Sequence, residues 1–344
     1  MMVSDVPRND VSPHNPVMLR EVLSALSPRE NRVYIDATLG AGGYTRAILD
    51  AANCSVYGFD RDPNAIADAG PLLSQYQPRL RLMQEPFARM REALAAQQVD
   101  SVDGVVMDLG VSSMQLDEAD RGFSFMREGP LSMRMDGEKP DAADVVAFAS
   151  VDEMVAIFKA YGEEKRARVI ARAISAAREI APIETTTQLA KIIEKSVGAG
   201  HSKIHPATRV FQALRIFVND ELGQLVAGLK AAERLLRPAG RLIVVTFHSL
   251  EDRIVKRFIA NRSNTNVGGS RHAPERAPVR PSFVKVHAKA SLPHDDEISE
   301  NSRARSAKLR AASRLPAPVF DDRLETLGAP LLKNLETLER RFAI

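Results

Sequence analysis

The stretch VYIDATLGAGGYTRAIL, from Val33 to Leu49, decides how this sequence is interpreted. An apolar run ends in the acid Asp36, three glycines follow within four residues, and a segment with helical spacing comes next. Glycine is used where the backbone takes a positive φ or approaches a ligand closely. In parallel α/β sheets, ligands bind outside the carboxyl ends of the strands. The stretch therefore predicts a strand, a ligand-binding turn and a helix.

Short β-rich runs repeat around this stretch. They start at Arg32, Ser55, Leu80 and Val102, about 22 to 25 residues apart, with helical segments between them. A strand, a helix and a loop fill that length, so the repetition predicts a parallel sheet. Right-handed crossovers then place helices on both faces of the sheet.

The next clear strand, GRLIVVTF, starts at Gly240, and so long a gap cannot be a loop in a compact domain. Its middle has a helical pattern, and the threonines of IETTTQLAKII are placed to cap a helix. We predict an all-helical domain at 140–205, inserted into a discontinuous α/β domain at 1–139 and 206–344. A single helix at 206–236 is expected to lead back to the sheet, and SFVKVHAK and RARSAKLRAA to supply two closing strands.

Composition limits the class of protein. The 344 residues suggest about two domains, and a hydrophobic content of 44% supports a sizeable core. No apolar run is long enough to span a membrane, and the N-terminus lacks the apolar region of a secretion signal. With Cys54 as the single cysteine, no internal disulfide is possible. We expect a cytoplasmic protein without a membrane partner.

Charge is informative only locally, because the net charge is +3. Between Arg271 and Arg314, ten Lys or Arg residues face five Asp or Glu residues, and the loop at 261–281 is rich in Gly, Pro, Ser and Arg. Such a cluster is typical of nucleic-acid binding, but a solvated surface explains it equally well.

The glycine turn does not fit a dinucleotide. In G-x-G-x-x-G the third glycine allows the helix to pack on the strand, but from Gly40 that position holds Thr45. The spacing resembles motif I of S-adenosylmethionine-dependent methyltransferases. Backbone N–H groups at Gly42, Gly43 and Tyr44 suit the carboxylate of that ligand. Asp36 is expected to orient its amino end, directly or through water.

The following strand ends carry suitable residues as well. Asp60 can accept both ribose hydroxyls, or it can merely cap the next helix, a role that Asp62 before Pro63 can fill instead. Phe87 can lie beside the adenine, and Asp108 ends the fourth strand.

Six longer strings stand out, at His14–Leu23, Met107–Asp136, Tyr161–Ile174, His205–Leu222, Thr246–Phe258 and Asn301–Ala312. Together they resemble one family closely, the MraW/RsmH family of bacterial 16S rRNA cytosine-N4 methyltransferases. The resemblance implies a Rossmann-like class I S-adenosylmethionine-dependent methyltransferase sheet with an inserted all-helical domain. It implies methylation of the exocyclic N4 of a cytidine in the decoding region of 16S rRNA, within the small ribosomal subunit.

The family's contacts with S-adenosyl-L-methionine map onto a short set of positions in this chain. They are Gly42, Gly43, Tyr44, Asp60, Phe87, Asp108 and Gln115. Many relatives have His where this chain has Tyr44, a difference that matters little if the backbone makes the contact.

The sequence identifies the catalytic residues less clearly than the cofactor contacts. Many amino-methyltransferases have an acid-Pro-Pro-aromatic string after the fourth strand, but DLGVSS has the acid without the prolines or the ring. Asp108 is the first candidate for contacting the N4 amino group, ahead of His248, with Ser112 and Ser113 nearby. No zinc pattern occurs, and methyl transfer from a sulfonium requires no metal.

A clustered set of cations, Lys165, Arg166, Arg168 and Arg172, is a candidate clamp on RNA phosphates, or it forms surface ion pairs with Glu163 and Glu164. Two other classes of function stay open at this point. One is an NAD-dependent oxidoreductase on a similar sheet, and the other is a non-catalytic RNA-binding factor with a vestigial pocket.

Overall fold

A seven-stranded mixed sheet forms the centre of the protein. The structure, a computed structural model, describes residues 16–137, 140–198, 205–263, 280–319, 324–330, 332 and 335–342. The strands are β1 Val33–Asp36, β2 Ser55–Asp60, β3 Leu80–Gln84, β4 Val102–Asp108, β5 Leu236–Thr246, β6 Phe283–Lys285 and β7 Lys308–Arg314. Their spatial order is β3-β2-β1-β4-β5-β7-β6. Pairs from β3 through β5 are parallel, and β7 is antiparallel to both β5 and β6.

Helices cover both faces of this sheet. The described α-helices are α1 Leu19–Leu26, α2 Gly43–Ala51, α3 Pro63–Asp68, α4 Gly70–Tyr76, α5 Met90–Ala96, α6 Ser113–Asp117, α7 Ala142–Phe148, α8 Val151–Gly162, α9 Ala167–Arg178, α10 Thr186–Val197, α11 Ala207–Val218, α12 Glu221–Leu235, α13 Ser249–Ser263, α14 Asp295–Glu300 and α15 Glu336–Phe342. One hydrophobic cluster joins α5, α12 and α13 to one face, and another joins α1, α2 and α4 to the other. The predicted Rossmann-like α/β sheet is confirmed.

The strand order reverses between β1 and β4, which are neighbours although β2 and β3 separate them in the chain. Such a reversal opens a crevice at the carboxyl ends of the strands, because the connections leave the two strands in opposite directions. The glycine turn after β1 lies at this crevice. The fold thus places the predicted ligand turn where ligands bind in this architecture.

The prediction of one helix over 206–236 is wrong. The chain forms α11 and α12, separated by Asn219 and by Asp220, whose φ of 47° is left-handed. The Asn219 amide donates to the carbonyl of Met133 at 2.7 Å and accepts from the N–H of Met135 at 3.0 Å. The break is therefore held by a loop more than eighty residues away in sequence.

The predicted strand at Gly240 begins earlier, because Leu236 already pairs with Val102 and the extended chain continues through Pro238. The predicted caps are confirmed at Thr185, whose hydroxyl accepts the N–H of Gln188 at the start of α10. The two closing strands are confirmed as β6 and β7. Of the predicted basic loop at 261–281, residues 261–263 complete α13 and 264–279 lie outside the described residues.

Helices α7 to α11 pack around a hydrophobic cluster of their own, which includes Phe158, Ile170, Leu189 and Leu214. Phe123, Leu131, Met133 and Met135, from the segment after β4, belong to the same cluster. The division of the chain into two domains stays a prediction. Among the described helices, none combines the length and the apolar character that crossing a membrane requires.

Candidate active site

A cleft of about 1410 Å³ lies over the carboxyl ends of β1, β2, β4 and β5. Most of the predicted site residues line it, namely Gly43, Tyr44, Asp60, Phe87, Asp108, Ser112, Gln115 and His248. Gly42 lies immediately behind this lining, and the side chain of Ser113 lies outside the described part of the chain. The structure thus brings together residues that are scattered over two hundred positions of sequence.

The glycine turn presents backbone N–H groups to the cleft. Gly40 and Gly42 have φ values of +48° and +75°, a conformation that glycine adopts at little cost. The Gly42 N–H donates to the carbonyl of Leu39, and the Thr45 N–H donates to the carboxylate of Asp36. The N–H groups of Gly43 and Tyr44, in the first turn of α2, have no acceptor among the described residues. Two free donors at a helix N-terminus suit an anionic group.

Asp36 supports the turn and does not line the cleft. Its side chain is fully buried, and it accepts hydrogen bonds from the N–H of Thr38 and from the N–H and hydroxyl of Thr45. Burial raises the pKa of Asp36 to about 6, and the Thr45 hydroxyl acts against that rise. A direct contact of Asp36 with a ligand's amino end does not fit this placement, and the alternative contact through water stays a prediction.

Tyr44 contributes its backbone to the cleft and its ring to the core. The ring is 3% exposed, and the hydroxyl donates to the carbonyl of Val17. This arrangement fits the expectation that a contact at this position is made by the N–H group.

The two acids after β2, Asp60 and Asp62, have different roles in the structure. Asp62 caps α3, with its Oδ1 accepting the N–H of Asn64 at 3.0 Å. Asp60 lines the cleft, and its oxygens accept the N–H groups of Gly40 and Asp62 at 2.9 Å each. Each carboxylate oxygen retains a lone pair for a hydroxyl donor. Burial raises the pKa of Asp60.

Gln115 is firmly held at the edge of the cleft. Its Nε2 donates to the Oδ2 of Asp62 at 2.8 Å, and its Oε1 accepts the N–H of Ser112 at 3.0 Å. The Ser112 hydroxyl in turn accepts the Gln115 N–H, which completes a capping box at the start of α6. Arg121 also pairs with Asp62 at 2.8 Å. A contact of Gln115 with a ligand therefore has to use its second Nε2 hydrogen or the second lone pair of its Oε1.

Phe87 follows β3 and packs against α12. A Cβ atom at Gly228 would overlap the ring, so the helix approaches the ring closely because this residue is glycine. Gln224, one turn earlier on α12, also lines the cleft, and its Oε1 is buried without a hydrogen-bond partner among the described residues.

Asp108 at the end of β4 has an unsatisfied carboxyl group. Its backbone N–H donates to the Thr38 hydroxyl at 2.7 Å, but its Oδ1 is buried without a hydrogen-bond partner. Within the described chain its Oδ2 has no partner either. Burial, reinforced by the charges of Asp36 and Glu251, raises the pKa of Asp108 well above its usual value. An unpartnered buried carboxyl group is costly, so this position favours a ligand that donates hydrogen bonds or carries positive charge.

His248, after β5, lies beside the buried Glu251. Its Nε2 is 3.0 Å from the Glu251 Oε1 without the alignment of a hydrogen bond, and its Nδ1 accepts the Glu251 N–H at 3.4 Å. Burial acts to raise the pKa of Glu251, but His248, the Phe247 N–H group and Arg215 together lower it below its usual value.

Glu221, His248 and Glu251 lie within reach of a common cation. However, both oxygens of Glu221 accept from Arg215 at 2.7 Å, so the guanidinium already supplies the positive charge at this point.

Sequence reasoning missed the contribution of α11 and α12 to the cleft. Thr208, Phe211, Gln212 and Arg215 line it from α11, at the i, i+3, i+4, i+7 spacing of one helical face. That spacing is visible in the sequence, but on its own it equally predicts a face packed in the core. In the structure this face lines the same cleft as Asp108.

Comparison with known proteins shows the family of this chain. The model of the MraW methylase family matches residues 11–315. This chain belongs to that family. It is 55% identical to the ribosomal RNA small subunit methyltransferase H of Nitrobacter hamburgensis over 94% of the chain and 97% of that protein. It is 51% identical to the protein of the same name from Parvibaculum lavamentivorans, over 97% and 99%.

A solved rRNA methylase from Streptococcus thermophilus is 9% identical, with a TM-score of 0.39 over 86% of this chain and 93% of that one. That similarity is too weak to extend any property to the chain.

Membership of the MraW methylase family makes the protein a methyltransferase and decides against the NAD-dependent alternative. Its methyl donor is S-adenosyl-L-methionine. The unpaired polar groups of the cleft fit this molecule, because free N–H groups at Gly43 and Tyr44 suit a carboxylate and the acceptor at Gln224 suits an amino group. We infer that Asp60 receives the ribose hydroxyls and that Phe87 lies against the adenine.

Proposed function

We propose that the protein transfers a methyl group to the exocyclic N4 of a cytidine in the decoding region of 16S rRNA, within the small ribosomal subunit. The observation that carries the proposal is the unsatisfied Asp108 carboxyl group at the cleft, since an exocyclic amine supplies the N–H donor that it lacks. The names of the relatives, ribosomal RNA small subunit methyltransferase H, support the choice of RNA.

Methyl transfer to N4 depends more on the position of the amine than on a strong base. The N4 lone pair is delocalised into the ring, so N4 attacks only when it is held in line with the methyl group. S-adenosyl-L-methionine supplies that methyl group as an electrophile on its sulfonium. A near-attack geometry is worth about 7–11 kcal/mol at best. Asp108 accepts an N4–H hydrogen bond, which orients the amine and stabilises the positive charge that develops on it. As the N4–methyl bond forms, the methyl–sulfur bond breaks with its electron pair on sulfur, and N4 then loses one proton to solvent.

His248 is the weaker candidate for contact with N4. Because its Nδ1 accepts the Glu251 N–H, a neutral imidazole carries its proton on Nε2 and has no free acceptor for the amine. We propose that His248 and Glu251 shape the charge around Asp108, while Asp108 makes the contact.

The helical region at 140–205 is proposed as the RNA-recognition domain. Lys165, Arg166, Arg168 and Arg172 are all exposed there. Glu163 and Glu164 pair with Arg253 and Arg209, not with these four side chains, and Arg168 pairs with Asp152 in solvent. Exposed ion pairs are weak, so these cations remain available to phosphates. A flipped base requires such a hold on the surrounding RNA.

The test uses small subunits from cells that lack this activity. The protein is incubated with methyl-labelled S-adenosyl-L-methionine and either these subunits or naked 16S rRNA, and digested nucleosides are analysed by mass spectrometry. Label on N4 of cytidine is expected. Label on C5 or on an adenine would correct the target, and no label with either substrate would favour a binding factor without activity.

A further inference from the structure

One face of α11 lines the cleft with residues that are not assigned to the cofactor. Thr208, Phe211, Gln212 and Arg215 project from it. Phe211 stacks edge-on against Phe125 with ring centroids 4.9 Å apart, and Phe125 also lines the cleft. This face therefore combines aromatic surface with one cation, Arg215.

Arg215 is fixed in a defined orientation. Its Nε and Nη2 donate to the two oxygens of Glu221 at 2.7 Å each, and its side chain is 16% exposed. A guanidinium has five N–H donors, so this side-on pair leaves three of them. The remaining donors on Nη1 and Nη2 form an end-on fork, for which the described residues provide no acceptor. A fork of this kind matches two adjacent acceptors in one plane.

Asp108, Arg215 and the buried Glu251 all line the same cleft. The Glu251 charge contributes to the raised pKa of Asp108 and also to that of Arg215. For Arg215, burial acts to lower the pKa, but Glu221 and Glu251 together outweigh it. One cleft thus presents an unpartnered acceptor and an oriented donor fork.

Cytosine has the complementary edge, with the N4 amine as donor and N3 and O2 as adjacent acceptors. We propose that Arg215, held by Glu221, donates to N3 and O2 of the target base while Asp108 accepts from its N4. This assignment rests on the proposed function and adds to it the residue that recognises the base.

Other bases leave the fork unsatisfied. Uracil presents N3–H, a donor, towards it, and guanine presents two donors. Adenine offers N1 beside a C–H group and so pairs with only half of the fork. Leaving a buried charged donor without a partner is costly, so the fork rejects these bases as well as binding cytosine.

The Arg215–Glu221 pair also ties α11 to α12 across the break, so a test has to separate recognition from folding. Arg215→Lys keeps the charge beside Glu221 but removes the fork. Arg209→Lys is the matched control, since Arg209 is on the same helix, is half exposed and does not line the cleft. Thermal unfolding and the Kd for S-adenosylhomocysteine are measured for both variants and are expected to stay near wild type.

Recognition is read out by NMR titration of the S-adenosylhomocysteine-bound protein with cytidine 5′-monophosphate and with uridine 5′-monophosphate. We expect the wild type to bind the cytidine nucleotide about tenfold or more tightly than the uridine nucleotide. Arg215→Lys should abolish this preference by weakening cytidine nucleotide binding alone, Glu221→Gln should reduce it, and Arg209→Lys should preserve it.

The proposal is overturned if the wild type shows no preference for the cytidine nucleotide, or if Arg215→Lys retains it. The proposed function fails separately, if the wild-type protein places no label on N4 of cytidine in small subunits. If the wild type labels N4 and Arg215→Lys keeps the nucleotide preference, the proposed function stands and only the proposed role of Arg215 is refuted.

Discussion

The carboxylate of Asp36 accepts both the backbone N–H and the hydroxyl of Thr45, at 3.1 and 2.7 Å. This pair fixes the first turn of α2 from behind. Because Asp36 uses the Thr45 N–H, the donors of Gly43 and Tyr44 are the ones left facing the cleft. The acid before the glycines thus orders the turn that we propose as the site of the cofactor's carboxylate.

Thr45→Val should destabilise the protein, because it removes a hydroxyl donor from a buried carboxylate at nearly constant volume. We expect the free energy of unfolding in urea to fall by about 1–3 kcal/mol. Thr187→Val removes an exposed hydrogen bond to Glu128 and is the control, with a change near zero expected. Equal stabilities of Thr45→Val and wild type would refute the buried role.

The pH dependence of stability should report Asp36 directly. Its folded pKa of about 6 lies above the ordinary 3.8, so folding favours the protonated form. The contribution of Asp36 to stability is then fully present below about pH 4 and is lost as pH rises through 6. Relative to Asp36→Asn, the wild type should lose about 3 kcal/mol over this window. A difference that does not change with pH would show that Asp36 has an ordinary pKa.

Gly228→Ala should weaken cofactor binding, because the added methyl group displaces the Phe87 ring. We expect at least a tenfold higher Kd for S-adenosylhomocysteine by calorimetry. Gly70→Ala, also in a helix, meets nothing within 4 Å and serves as the control. Unchanged affinity in Gly228→Ala would show that Phe87 does not lie against the adenine.

Asp108 should set the acid limb of the pH–rate profile. The carboxylate form stabilises the positive charge that develops on N4, whereas the neutral acid does not. The pKa of Asp108 is raised by burial, Asp36 and Glu251. Activity on small subunits should therefore rise with pH through a value well above 4. Glu251→Gln should move this limb to lower pH by removing one negative charge, and Asp108→Asn should lose most activity while still binding S-adenosylhomocysteine. A limb at the same pH in Glu251→Gln would argue against Asp108.

The cations of the helical region should govern the salt dependence of subunit binding. Lys165→Ala with Arg172→Ala should reduce the slope of log K against log salt by about 0.7–0.9 for each phosphate that the protein no longer neutralises. Arg91→Ala, on the exposed side of α5, is the control. An unchanged slope in the double variant would place the RNA elsewhere on the surface.

The parallel sheet and the strand ends were predictable because the βα period fixes where each strand stops. Asp60 and Asp62 could even be separated in advance, since Pro63 marks the first turn of a helix. The burial of Asp36 could not be predicted, because the N–H groups that its carboxylate accepts depend on where α2 starts. The break between α11 and α12 could not be predicted either, because it is held by hydrogen bonds between Asn219 and the distant residues Met133 and Met135. The orientation of Arg215 depends on that break.

The most direct test is a crystal structure of the protein with S-adenosyl-L-methionine. We expect its carboxylate on the N–H groups of Gly43 and Tyr44, its ribose on Asp60, and its methyl group open to the space between Asp108 and Arg215. A molecule bound elsewhere, or a methyl group closed off from that space by the protein, would contradict the account.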